Sequence, residues 1–134
     1  MGTSHFQFSN PILSELQFYI NDTYNADVEE ISVNLGMSIN KNRISETEAT
    51  VELTVKIGEQ SENAPFYVMA TEGAIFRWED DSFDAEPDVE KFLDVNAPAL
   101  LLSYLRPIVS SVTMASKYPA YNIPFINFND AKKE

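Results

Sequence analysis

Two stretches of the chain alternate strictly between apolar and polar residues. Ile31, Val33, Leu35, Met37 and Ile39 are separated by Ser32, Asn34, Gly36 and Ser38, and Ala49, Val51, Leu53, Val55 and Ile57 by Thr50, Glu52, Thr54 and Lys56. Successive side chains of a strand point to opposite faces, so each run places its apolar residues on one face of a sheet. Residues 40–46, NKNRISE, are rich in turn formers, and the whole reads as an antiparallel hairpin. A third long strand is predicted over residues 65–77, apolar on both faces, with Gly73 marking a bulge or a close backbone approach. Upstream, Leu16, Phe18 and Ile20 alternate with Glu15, Gln17 and Tyr19, which predicts a fourth strand; Phe6 and Phe8 alternate too and lengthen that edge.

The period then changes. Asn96 reads as a helix N-cap with Pro98 in the first turn, where its missing N–H costs nothing. Leu101, Leu105, Ile108, Val112 and Ala115 follow at spacings of three and four, and Leu100, Leu102 and Tyr104 widen the apolar surface. That is too much apolar circumference for one wet face, so cover is expected on a second side, from another copy of the chain. Pro107 removes a bond to the Ser103 carbonyl and predicts a kink. Pro119 and Pro124 hold their neighbours extended, so KYPAYNIPFINF is an aromatic arm laid over the domain.

Charge sharpens this picture. The 134 residues carry 21 acids against 9 basic groups, a net charge of −12, yet residues 97–128 contain no Asp or Glu. Residues 79–94 hold much of the excess; their spacing matches no calcium loop and reads as a solvated loop with a short helix. Scattered basic residues disfavour nucleic acid, and the charge disfavours an anionic membrane. Cysteine is absent, which excludes disulfides and thiolate chemistry. The single histidine, His5, has no nucleophile arranged with it, and no phosphate loop or metal-ligand spacing is present. Carboxylates such as Glu29, Glu30, Asp80 and Asp81 are too scattered to mark a catalytic pair. The expectation is one non-enzymatic domain over residues 1–134, with no cofactor. MGTSHFQFSNP lacks the features of a signal peptide and no apolar run approaches the ~20 residues that span a bilayer, so a cytoplasmic location without membrane insertion is expected.

The residues GAIF at 73–76, then Pro98, Leu101, Tyr104 with Arg106, Ser111, Pro119, Asn122, Asn127 and Phe128 carry a resemblance. In order and spacing they resemble the bacterial protein-export chaperone SecB family. The resemblance implies an α+β fold: a four-stranded antiparallel sheet with a long kinked helix packed on one face. It implies a dimer or tetramer paired through the first strand and the helix, with Leu101, Tyr104, Leu105 and Ile108 at the interface. It further implies capture of unfolded polypeptide in an apolar groove, with Phe66, Tyr118, Tyr121, Phe125 and Phe128 as client-binding residues. Read from the residues alone, the arm aromatics would instead close the domain's own core.

The family's contact with its export motor is an acidic patch on the sheet. At the corresponding positions this chain keeps Glu15 but shows Tyr19, Tyr67 and Met69, so coupling to such a motor is expected to be weak. Two functions follow: a holdase of unfolded chains, or an oligomeric adaptor of the same fold with one dedicated protein partner.

Overall fold

The computed structural model describes residues 6–24, 33–61, 63–79 and 86–131. The alternating runs become one antiparallel sheet of five strands: β1 (Phe6–Phe8), β2 (Ile12–Ile20), β3 (Leu35–Arg43), β4 (Glu48–Gly58) and β5 (Phe66–Trp78). β1 and β2 lie end to end along the same side of β5, with Phe6 opposite Trp78 and Ile20 opposite Phe66. The layout is therefore four strands wide, its edge lengthened by the N-terminal segment as the sequence predicts. Ser9 bridges the interruption, donating its N–H to the Ile75 carbonyl and accepting the Ile75 N–H on its hydroxyl, both at 2.9 Å.

β4 and β5 are central and paired on both sides, so their inward residues are sealed. Ala49, Val51, Leu53, Val55 and Ile57 meet Phe66, Val68, Ala70, Phe76 and Trp78 in the core. Gly73 is a close approach, as expected: a Cβ there would stand 2.9 Å from the Glu52 Cγ. The irregularity in register lies in its neighbour β2, between Leu13 and Glu15.

The β3–β4 turn is shorter than the turn formers imply. Residues 40–43 stay in the strand, paired opposite residues 49–52, and the reversal occupies residues 44–47. Side-chain partners outweigh the weak strand preference of Lys and Asn. The Lys41 ammonium lies 2.5 Å from Glu90 and 2.6 Å from Asp94, and the Arg43 guanidinium reaches Glu90 and stacks 5.1 Å from the Trp78 ring centre. Burial alone would lower the Lys41 pKa, but its bonds to Asp94 and Glu90 hold it above the ordinary value. These ties fasten the edge strand to the helical layer.

Gly58 ends β4 with φ of 78°, and a Cβ there would fall 1.9 Å from the Phe66 carbonyl oxygen. Left-handed backbone costs an L side chain roughly 1–2 kcal/mol before any clash. Gly58→Ala is expected to lose at least about 2 kcal/mol in urea denaturation. An unchanged midpoint would mean that the β4–β5 connection yields freely.

The helix starts earlier than the sequence predicts. α1 (Glu86–Lys91) leads through a π-helical turn (Phe92–Asn96) into α2 (Ala97–Met114). Asn96 has helical φ and ψ and no capping bond, so it is not an N-cap. Pro98 cannot donate to the Asp94 carbonyl, and the Ala97 N–H bonds the Phe92 carbonyl instead, which widens the turn. The buried positions Val89, Leu93, Ala97, Leu101, Leu105, Val109 and Thr113 are spaced by four. A spacing of four overshoots the 3.6-residue turn, so the buried line winds gradually around the helix, and the extra residue absorbed by the π turn offsets that drift only between Leu93 and Ala97. α2 continues through Pro107 as one helix.

Candidate protein-binding surface

Among the described residues no group of His, Cys, Asp and Glu could hold a metal, and no helix is long and apolar enough to cross a membrane. His5, Glu29, Glu30, Ile31, Asp80 and Asp81 lie outside the described residues. The chemistry on offer is apolar surface and the way the fold displays it.

The arm that follows α2 is fixed at three places. The Tyr118 hydroxyl donates to the Asn21 carbonyl at 2.6 Å, and its ring meets Tyr24 edge-on. Asn21 is itself buried, donating its amide to the Ser61 and Ala64 carbonyls at 3.0 and 3.1 Å. The Thr113 hydroxyl donates to the Val109 carbonyl and accepts the Tyr121 N–H, each at 2.8 Å. Arg106 then donates to the carbonyls of Ile123 and Pro124, the latter at 2.8 Å. A guanidinium offers several donors in a fixed fork and serves here as a clamp on backbone.

These anchors sort the five residues that the resemblance assigns to clients. Phe66, Tyr118 and Phe128 are buried in the chain's own core. Phe66 lies beside Phe18 on the inward face of β5, Tyr118 is held through Asn21, and Phe128 closes against the buried cluster. Tyr121 is half-buried, and burial pushes its phenol up in pKa. Phe125 is 88% exposed, immediately after the carbonyls that Arg106 holds. Of the five, Tyr121 and Phe125 keep exposed surface.

The residues expected at the oligomer interface divide in the same way. Leu101 and Leu105 have no exposed surface in the single chain and pack within the core cluster. The stripe is turned from the expected one: Val109 and Thr113 are buried, Ile108 and Val112 half-buried, and Ala115 exposed. Thr113 was concealed by its hydroxyl, which finds two backbone partners inside. The arm supplies part of the second cover that α2 needs, through Tyr121 and the buried Ile123. Tyr104 stays 38% exposed, roughly 200° around the helix from Arg106 and so on the flank away from the clamp.

The apolar alternation of β2 forms a row with open surface. Leu13, Leu16 and Ile20 stand on the helix-facing side, opposite Glu72, Ala70 and Phe66, yet all three are exposed. The alternation predicted the strand; its exposure depends on how far α2 reaches across the sheet, which no sequence period records. On the other face, β2 and β5 bring Tyr19 and Tyr67 into direct register, with Gln17 opposite Met69 and Glu15 opposite Thr71. The four residues aligned with a motor contact thus share one face, with Glu15 accepting the Gln17 amide at 3.1 Å and Met69 buried.

The family described as preprotein translocase subunit SecB matches residues 15–131. An uncharacterized protein of Methanocaldococcus jannaschii is 25% identical over 124 residues, 90% of this chain and 78% of the relative. Among solved structures, the Mycobacterium tuberculosis Rv1957 SecB-like chaperone in complex with a ChAD peptide from the Rv1956 HigA1 antitoxin superposes with a TM-score of 0.73, at 13% identity and over 90% of each chain. That likeness is one of fold.

Proposed function

The chain belongs to the SecB family, and on that footing we propose that it is a chaperone or adaptor that binds extended segments of other proteins, without cofactor or turnover. The observation that carries the reading is Phe125, a large aromatic ring held out in water by a backbone that Arg106 clamps. An aromatic residue fixed in this way loses little conformational freedom on binding, and sequence-tolerant apolar contact is what an unfolded client offers. The acid-free stretch of residues 97–128 fits the same use, since a carboxylate beneath a bound apolar segment would cost desolvation.

A dedicated partner is favoured over general holdase activity by one observation: three of the five groove aromatics are spent on the chain's own core. The related fold of the mycobacterial chaperone holds a peptide from one antitoxin, which parallels this narrower role. We further propose a cytoplasmic homo-oligomer, with β2 as the joining edge, since β2 pairs only with β5 among the described residues and its inward row is uncovered. Coupling to an export motor is not part of the proposal, because Glu15 is the single acid on the aligned positions.

The test is a titration of a permanently unfolded, dye-labelled client with the native protein and with Phe125→Ala. Phe125→Ala is expected to keep its fold and to bind roughly tenfold more weakly or worse, the range of an aromatic hot spot. Equal binding by both would remove the arm from the site. Absence of any client binding, together with one folded protein recovered from native cytoplasm, would select the adaptor.

A further inference from the structure

Glu72 is the one acidic side chain among the described residues that sits in the core, 4% exposed, with no hydrogen bond to its Oε2. It stands on the inward face of β5, between Leu53 of β4 and Leu13 of β2. We infer that Glu72 couples self-association of the chain to the uptake of a proton. This rests on the homo-oligomer reading above and names its regulation.

Among the described residues, no charged group on the strands paired with β5 or on α2 faces the carboxyl. On β4 the inward neighbours are Val51, Leu53 and Val55, while Glu52 and Lys56 point to the other face; on β2 they are Leu13 and Leu16, while Glu15 points away. The only charge in α2 is Arg106, committed to the Ile123 and Pro124 carbonyls. In the arm Lys117 donates to the Asp22 carbonyl, and Lys41 of β3 is bound to both Glu90 and Asp94. With nothing to offset it, burial holds the Glu72 carboxyl above the ordinary carboxylate value.

Water still reaches this corner from one direction. Leu13, directly opposite Glu72, is 37% exposed, and Leu16 is 42% exposed. The occupant that fits is a second copy. β2 offers nine residues of strand whose outer edge is unpaired among the described residues, and such an edge is self-complementary in antiparallel pairing. Its inward row carries no charge and α2 no acid, so two chains of net charge −12 repel least when they meet there.

Covering Leu13 and Leu16 takes the remaining water from Glu72 and raises its pKa again, so the assembled state holds the proton to higher pH than the free chain does. Association is then strongest at acidic pH. It weakens as pH rises through the window between the two pKa values, both above the ordinary carboxylate value, by up to ~100-fold per pH unit for a dimer that takes up two protons.

Glu72→Gln keeps the shape of the side chain and removes the titration. Sedimentation equilibrium at a series of pH values from acid to neutral is expected to show association weakening with pH in the native protein. In Glu72→Gln it is expected to be constant across the series and tighter at neutral pH. Calorimetric dilution of the native protein in two buffers of different ionisation enthalpy reads proton release on dissociation directly and does not depend on the variant folding. Association with the same pH profile in both proteins, or with no proton release, overturns the role of Glu72 and leaves the oligomer standing. A monomer at every pH in both overturns the oligomer and the inference with it.

Discussion

Leu105→Asp is expected to abolish the cooperative fold at neutral pH. Leu105 has no exposed surface and belongs to the cluster formed by α2 with β4 and β5. Truncating a buried leucine already costs roughly 2–5 kcal/mol. Aspartate adds the desolvation of a charge with no partner, several kcal/mol more, and domains of this kind hold only about 5–15 kcal/mol in total. Far-ultraviolet circular dichroism and the elution volume of the variant read the outcome. Tyr104→Asp is the control, because Tyr104 lies on an exposed flank of the same helix. A Leu105→Asp protein that stays folded but fails to associate would return Leu105 to the interface that the family resemblance gave it.

The strands were legible because a sheet with one covered face writes its burial directly into a period of two. Every alternating residue from Ala49 to Ile57 that was expected inside is inside. Even the weak signal at Phe6 and Phe8 was enough to place β1, since Phe6 stacks on Phe92 and pairs across to Trp78. Helical phase was harder to read. Pro98 and Asn96 look like the start of a helix, and only the missing Asp94–Pro98 hydrogen bond, answered by a π turn, reveals that the chain is already helical from Glu86. Within α2 the buried stripe steps by four from Leu105 to Val109 and Thr113 rather than to Ile108 and Val112, and a threonine satisfied by two backbone groups does not announce itself as core.

The candidate binding surface was less legible still, for a different reason. An aromatic residue in a sequence looks the same whether it is displayed or buried. What separates Tyr118 from Phe125 is a single distant carbonyl, that of Asn21, and a single clamp, Arg106. Neither contact has a sequence period. Glu72 was equally silent, reading as one more acid in a chain with 21 of them until the register set it between two leucines.

Tyr118 therefore gives the sharpest division between core and surface. Its ring packs on Tyr24 and is buried, and its hydroxyl reaches the carbonyl of Asn21, the residue that also ties down Ser61 and Ala64. Tyr118→Ala is expected to lose roughly 3–5 kcal/mol of stability, the cost of emptying a buried aromatic site. Tyr118→Phe, which keeps the ring and leaves the carbonyl unpaired, should lose about 1 kcal/mol. In neither variant should affinity for an unfolded client, measured per folded molecule, fall as it does in Phe125→Ala. The measurement pairs urea denaturation with client titration under conditions where each variant is fully folded. If Tyr118→Ala melts like the native protein but loses client binding, the hydroxyl bond to Asn21 is not what holds the arm, and Tyr118 belongs to the groove after all. If it unfolds as expected while the folded fraction binds normally, client capture rests on the exposed end of the arm, with Arg106 holding Phe125 in position for it.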